Sequence, residues 1–184
     1  MKLGFAIAGV AVLMSLTSGC GYNTLVSERE SINGAFSQVD VAMQRRADLI
    51  PNLVETVKGF AKQEQSVIDS VTAARAALGG AKTPADKIAA NGQLDSALSR
   101  LLVVVENYPD LKSNANFMAL QNELAGTENR IAVERRKYNE TVQRYNTDIA
   151  VFPNNVTSGL FGFKRNDAYF KADEAAKVTP KVKF

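Results

Sequence analysis

The side chains that most often carry out catalysis are scarce in this sequence. It has no histidine and a single cysteine, Cys20, so the common nucleophile–base pairs and the usual nitrogen and sulfur ligands of zinc sites are missing. Carboxylates remain, but no Glu-x-x-His motif of a di-iron bundle accompanies them. The acidic residues concerned are Glu106, Asp110, Glu123, Glu128 and Glu134. We therefore expect a protein that is not an enzyme and that uses no cofactor and no metal ion.

Five charged side chains close to apolar positions are the best candidates for binding. They are Arg45, Arg46, Asp48, Arg130 and Glu134. Arg46 falls on an apolar seam, where a charge is costly unless it is paired. One interpretation is structural: Arg46 extends its charged end to water, or it pairs with an acid such as Glu134 across a bundle and sets the helix register. The other is a polar groove that receives a partner.

The N-terminal residues predict a targeting segment. Residues 3–19 carry no charge, follow Lys2 and end directly before Cys20. At 1.5 Å per residue these 17 residues reach only about 25 Å, at the short limit for a hydrocarbon core of about 30 Å. A signal-peptide core fits better, and the small residues 17–19 before Cys20 are similar to a bacterial lipobox.

Two forms of membrane anchor follow from this segment. In one, the chain is cut before Cys20, whose sulfur carries lipid; in the other, residues 3–19 remain as a single span, because Thr17 stands where a lipobox usually has leucine. Either way Lys2 stays in the cytoplasm, and the body from Cys20 onward faces the periplasm or the extracellular side. The choice between inner and outer membrane stays open.

The apolar pattern of the body predicts long helices. In the first arm Ile32, Phe36, Val39, Met43, Arg46, Ile50, Leu53, Val57 and Phe60 follow a coiled-coil-like 4-3 spacing. The same register continues to Leu78, so residues 25–78 predict one very long arm or two helices in line. Pro51 cannot donate to the carbonyl of Ala47, which predicts a bent but continuous helix there.

Start and stop signals define the other helices. Thr83-Pro84 begins a helix that ends at Asn107-Tyr108-Pro109, and a third arm runs from about Ser113-Asn114 to Phe152-Pro153. Residues 156–163 then give one or two amphipathic turns, which either cap the end of the bundle or anchor it to a membrane or partner.

The predicted fold class is all-α: an elongated antiparallel bundle of three to four long helices behind an N-terminal membrane anchor. We expect an anchor over residues 1–20, a bundle over 21–163 and an irregular basic tail over 164–184, with Lys177, Lys181 and Lys183. The formal charge of +3 is spread along the chain, so no nucleic-acid partner is expected.

Several motifs resemble the LemA family. The first is QRRADLIPNLVETVKG, residues 44–59, and the second runs from Ala97-Leu98-Ser99-Arg100-Leu101 to Glu106-Asn107-Tyr108-Pro109-Asp110-Leu111-Lys112. LAGTENRIA at 124–132, Tyr138-Asn139, Phe152-Pro153-Asn154-Asn155 and Phe161-Gly162-Phe163 follow in the same order. The resemblance implies a helical bundle on one N-terminal anchor, and an accessory role in membrane assembly or protein quality control.

Two functional hypotheses follow. The first is a non-catalytic envelope protein that acts as an interaction partner or scaffold for another envelope protein. The alternative is a lipid-interacting or membrane-remodelling protein, suggested by Phe161, Phe163 and the basic tail. Membrane lipid is the other expected partner, bound through acylated Cys20 or through residues 3–19.

Overall fold

The computed structural model describes residues 2–61 and 63–171, with side chains from residue 21 onward. The helices in this part are α1 Lys2–Phe60, α2 Gln65–Gly80, α3 Pro84–Val105, α4 Pro109–Lys112, α5 Ala115–Asp148 and α6 Asn154–Phe161. No strand occurs within these ranges, so the all-α prediction is confirmed for them. The predicted anchor with Cys20 lies outside the described side chains. Among the described residues, none of the helices combines the length and the apolar character needed to cross a membrane.

Helices α1 and α5 form the long antiparallel pair of the bundle. Glu28 and Arg144 face each other at one end, with 3.9 Å between Oε1 and Nε, and Phe36 meets Tyr138 at 5.5 Å between ring centroids farther along. The predicted seam of α1 is buried or partly buried from Ile32 to Val57. Its last member, Phe60, is exposed because the helix ends there.

The prediction of an arm that runs straight on to Leu78 is wrong. The chain reverses at residues 61–64, and α2 packs back along α1 before α3 returns beside it. The apolar spacing could not show this, because Val57, Ala61, Glu64 and Ile68 keep the 4-3 rhythm through the turn itself. Buried Ala61 and Ile68 hold the reversal against the bundle.

Helix α1 continues through Pro51, as predicted. Proline has no N–H, so the carbonyl of Ala47 loses its partner within the helix. Arg75 of α2 replaces it, donating from Nε to the Ala47 oxygen at 2.9 Å. The continuity of α1 at this proline is therefore coupled to the packing of α2.

The other helix starts agree with the local sequence. Thr83 caps α3 by accepting from the backbone N–H of Asp86 at 3.1 Å, and Asn114 caps α5 by accepting from Asn116 and Phe117. α5 ends at Asp148, four residues before the predicted Phe152, because a residue that precedes proline disfavours helical geometry and the chain turns ahead of it.

The segment after α6 runs back along α5. Gly162 ends α6 with a left-handed φ of 72°, a conformation that glycine adopts without strain, and Phe163 N–H then bonds to the Ser158 carbonyl at 3.0 Å. Residues 164–171 form no helix or strand, yet hydrogen bonds fix them to α5. The sequence did not predict this docking.

Candidate functional site

Arg46 is the centre of a polar cluster inside the bundle, where α1, α3 and α5 meet. Its side chain is 8% exposed, although it belongs to the apolar seam of α1. Nη1 donates a short hydrogen bond to Asp95 Oδ1 of α3 and lies 2.6 Å from Glu128 Oε2 of α5. One guanidinium therefore connects α1, α3 and α5. Its two carboxylate partners compensate for the water that the charge loses on burial.

Asp95 links this arginine to two further side chains. Its Oδ2 accepts from Nδ2 of Asn91 at 2.9 Å and from Nη2 of Arg135 at 3.4 Å. Asn91 is fully buried, which is uncommon for an amide side chain and explains why it needs such a partner. Two arginines and two carboxylates make the cluster electrically neutral.

Several atoms of the cluster keep unused hydrogen-bonding capacity. Buried polar atoms without a hydrogen-bond partner are Arg46 Nε, Asn91 Oδ1, Glu128 Oε2 and Arg135 Nε. The contact of Glu128 Oε2 with Arg46 is thus a close ion contact rather than an aligned hydrogen bond. An unsatisfied buried donor or acceptor costs about 1–3 kcal/mol, so these atoms make the cluster less stable than a fully hydrogen-bonded one.

The five residues predicted as a cluster do not lie together. Arg45 points to solvent and faces Glu123 at 3.7 Å, and Asp48 accepts a hydrogen bond from Gln44 at 2.7 Å. Arg130 is exposed. Glu134 is 3.1 Å from Lys137 on its own helix and does not contact Arg46, so the suggested Arg46–Glu134 pair is wrong in its acid.

The true partners, Asp95 and Glu128, carry only a weak signal in the sequence. Asp95 follows the seam residue Leu94, and Glu128 follows the seam residue Thr127. Each carboxylate therefore flanks a buried stripe and reaches an arginine on a facing helix. Glu134 falls on the stripe itself and on the same helix as Glu128, so choosing between them requires knowing which level of α5 faces Arg46.

An apolar groove opens directly above the polar cluster. Its cavity has a volume of about 250 Å³ and lies between α3 and α5, with Leu53 of α1 among its lining residues. The walls are Leu98, Leu101 and Leu102 from α3, and Gln121, Leu124 and Ala125 from α5. Arg46 and Glu128 close one end, so the groove joins an aliphatic surface to hydrogen-bonding groups.

A second feature is the end of the bundle next to residue 21. α6 lies against Gly21 so closely that a Cβ there would be 2.9 Å from Asn154 Oδ1. Phe161 and Phe163 pack against the ring of Tyr22, with centroid distances of 4.9 and 5.7 Å. Only part of residues 160–163 therefore has the predicted capping role. Phe163 is partly buried against the core, whereas Leu160 is 74% exposed.

A buried carboxylate lies near this end. Burial, the hydrogen bond that the protonated Glu28 carboxyl donates to the side chain of Asp148, and the negative charge of Asp148 raise the pKa of Glu28 to about 7, and Arg144 opposes the shift. The Glu28 side chain is 15% exposed, and Oε2 has no hydrogen-bond partner. Glu28 therefore keeps its proton up to about neutral pH.

Residues 164–171, the segment docked on α5, are the third feature of the site. Asn139 pairs with both backbone groups of Phe170, at 2.8 and 3.0 Å, and Asn146 pairs with both backbone groups of Asn166, at 2.7 and 2.9 Å. The Phe170 ring stacks between Phe36 and Arg135, 6.4 Å from the first ring centroid and 5.2 Å from the guanidinium carbon. Through Arg135, which also pairs with Asp95, the segment contacts the polar cluster.

The polar cluster and the cavity beside it differ in chemical character. Among the described residues, no group of three or more histidine, cysteine or acidic side chains is placed to hold a metal ion. The arginines and carboxylates of the cluster neutralise each other, and the cavity above them is mainly aliphatic. The cavity therefore has aliphatic walls and one ion-paired polar end.

Comparison with known proteins decides the family. The LemA family model matches residues 35–184, which is most of the chain and includes the whole groove. The chain belongs to the LemA family. Arg46, Asp95, Glu128 and the docked segment up to residue 171 all fall within the LemA match.

Individual LemA-type relatives are distant in sequence. The chain is 28% identical over 193 residues to "Magnetosome protein MamQ 2" of Paramagnetospirillum magneticum, covering 88% of this chain and 70% of that protein. It is 26% identical over 159 residues to "Protein LemA" of Metamycoplasma hominis, covering 85% of this chain and 71% of that protein. Both alignments extend over most of the helical body.

Proposed function

We propose that this protein is a non-catalytic adaptor of the cell envelope. Its N-terminal segment holds it at the membrane, and its body, on the periplasmic or extracellular side, binds an apolar helical segment of an envelope protein. The observation that carries the proposal is the groove between α3 and α5, with its aliphatic walls and its Arg46–Glu128 end.

The shape of the groove supports a helical occupant. Leu98, Leu101 and Leu102 on one wall and Leu124 and Ala125 on the other follow helical spacing, so the apolar strip runs along two helix axes. Its 250 Å³ is below the roughly 300–1,000 Å³ of typical small-molecule pockets. Side chains projecting from one face of a helix fit such a shallow strip, as in other helix-in-groove complexes.

The polar end supports a preference for one kind of side chain. Arg46 and Glu128 line this end, and Arg46 Nη1 lies 2.6 Å from Glu128 Oε2, so a donor group and an acceptor group stand side by side there. The carboxamide of asparagine or glutamine offers an acceptor and a donor together. An apolar helix with one such residue therefore places a matching polar group at the end of the groove that Arg46 and Glu128 line, whereas a wholly apolar helix does not.

The relatives support a role in assembly. The names of the magnetosome relatives refer to a cell structure and to no reaction. For this chain we extend that to an adaptor or scaffold role at a membrane, without assigning the structure it serves.

Neighbouring residues of α3 allow a matched test of the groove. Leu102 lines it and is 39% exposed, whereas Val103 is 69% exposed and does not line it. Full-length tagged Leu102→Glu, Val103→Glu and wild-type protein are recovered from detergent-solubilised membranes, and bound proteins are quantified by mass spectrometry. We expect an envelope protein that wild type and Val103→Glu retain equally and that Leu102→Glu loses.

The outcome that contradicts the proposal is equally concrete. A protein retained equally by all three chains does not use the groove, and the absence of any reproducible partner removes the adaptor role. Circular dichroism confirms that Leu102→Glu is folded, which the exposure of Leu102 favours.

A further inference from the structure

The exposed apolar residues of α6 and of the turn before it lie at the end of the bundle next to Gly21. Phe152, Val156, Leu160 and Phe161 are 81, 62, 74 and 52% exposed. We call these four residues the basal patch. They fall within ten consecutive residues, and such clustering, unlike single exposed leucines, marks a contact surface.

The position of the basal patch limits what covers it. α6 rests on Gly21, with Thr157 Oγ1 3.1 Å from where a Cβ of residue 21 would be. α1 is a single helix over Lys2–Phe60, so the uncharged residues 3–19 continue the axis on which α6 is seated. Both forms of the predicted anchor place residue 20 at the bilayer surface. α6 therefore lies within about one helical turn, 5.4 Å, of that surface along the axis of α1.

We infer that the basal patch is a membrane-contacting surface that inserts into the interfacial layer of the bilayer and holds the bundle upright. Aromatic and aliphatic side chains on a short amphipathic helix, extended here by Phe152 in the turn before it, are typical of such interfacial contacts. Tyr22, packed against Phe161, supplies an aromatic ring at the same level, where amphipathic rings are favoured.

The charges around the basal patch indicate which lipid property is recognised. Arg29, Lys164 and Arg165 are basic, and Asp148 and Asp167 are acidic, with Arg165 3.5 Å from Asp167. Because both signs are present, apolar insertion and not attraction to anionic headgroups provides the contact. Binding through the patch therefore persists at high salt and on zwitterionic lipid.

The absence of tryptophan from the sequence provides a direct test. Single tryptophans are introduced by Phe161→Trp and Leu160→Trp, and by Val103→Trp as a control at an exposed site on α3. Each full-length chain is reconstituted into phosphatidylcholine vesicles, with or without lipid brominated on the acyl chain close to the headgroup. Emission is measured in low and in high salt.

We expect tryptophan at 160 and 161 to emit at shorter wavelength than tryptophan at 103, and to lose most of its emission in brominated vesicles at both salt concentrations. Equal quenching at 161 and 103, or none at 161, overturns the inference. Blue-shifted but unquenched emission at 161 means that protein, either a second copy or residues 172–184, covers the patch, and it also overturns the inference. So does a chain that fails to co-float with the vesicles. These results are independent of the groove, whose test uses Leu102.

Discussion

Arg75 Nε donates to the carbonyl oxygen of Ala47 across the α1–α2 interface at 2.9 Å. That carbonyl is the one that Pro51 leaves without a partner four residues later. A side chain from the next helix thus repairs a defect within the long helix. The contact ties the reversal at residues 61–64 to the integrity of α1, on which the groove and the polar cluster are built.

A double-mutant cycle tests this repair. We expect Arg75→Met to lower the free energy of unfolding by about 1 kcal/mol, because it leaves the Ala47 carbonyl unpaired while keeping most of the aliphatic stem. In the Pro51→Ala background the new N–H of residue 51 bonds to that carbonyl, so the loss should shrink by at least about 0.5 kcal/mol. Urea unfolding followed by circular dichroism measures both. Equal losses in the two backgrounds would show that Arg75 acts elsewhere.

The adjacent residues Arg45 and Arg46 allow the loss of a buried charge to be compared with the loss of an exposed one. Arg46→Met leaves Asp95 and Glu128 without their shared cation and should cost about 2–3 kcal/mol of stability, less than a fully buried pair because both acids are partly exposed. Arg45→Met removes a guanidinium that is 67% exposed and should change stability by less than about 0.5 kcal/mol. The same urea titration compares them.

The second variant at the cluster makes the cause of the loss visible. Adding Glu128→Gln to Arg46→Met removes the carboxylate whose ion pair was with Arg46, whereas Asp95 keeps Arg135 at 3.4 Å, so part of the lost stability should return. If Arg46→Met and Arg45→Met are equally stable, the buried cluster does not hold the three helices together.

The docking of residues 164–171 predicts slow hydrogen exchange in a segment without helix or strand. Asn139→Ala removes both hydrogen bonds to the backbone of Phe170, so the amides of this segment should exchange faster, while α3 is unchanged. Asn129→Ala, at an exposed site of the same helix, is the control. Mass spectrometry of exchanged peptides gives the answer, and wild-type exchange at the rate of an unfolded chain would rule out the docking.

The Glu28–Asp148 pair predicts a stability that depends on pH. The pKa of Glu28 is about 7 in the folded protein, above the 4.5 of an unperturbed carboxyl, so the folded state binds more protons than the unfolded chain between these values. Stability should therefore fall as the pH rises from about 4.5 through 7, and its full contribution should be present at the acid side of that range.

Glu28→Gln tests the sign, because it imitates the protonated side chain. We expect it to match wild type near pH 5 and to be more stable than wild type near pH 8, by about 1 kcal/mol after allowing for solvent screening. Thermal unfolding at both pH values measures the difference. A variant less stable than wild type at pH 8 would mean that ionised Glu28 is favoured by Arg144.

The sequence predicts the features that depend on the spacing of neighbouring residues. It does not predict which residues of different helices face each other along the bundle. The seam of α1, the Thr83 and Asn114 caps and the passage through Pro51 follow from patterns within one or two helical turns. The reversal at 61–64 keeps the heptad phase and is therefore invisible to periodicity.

The wrong acid for Arg46 has a separate cause, because Glu128 and Glu134 both lie on α5 and only the level at which α5 faces α1 distinguishes them. Asp95 and Glu128 become identifiable only when α3 and α5 are placed beside α1. The docking of residues 164–171 rests on paired backbone hydrogen bonds from Asn139 and Asn146, and the only local hint is the Tyr169-Phe170 pair within a basic tail.

The measurement that tests the adaptor role most directly is photo-crosslinking in living cells from single positions of the full-length chain. A benzophenone amino acid is placed at Leu102 or Ala125 in the groove, and at Val103 or Val133 outside it on the same helices. We predict crosslinks from the groove positions alone, to one apolar segment of an envelope protein whose crosslinked residues repeat with helical spacing and flank an asparagine or glutamine. Crosslinks of equal yield at all four positions, or crosslinks only to lipid, would contradict the account.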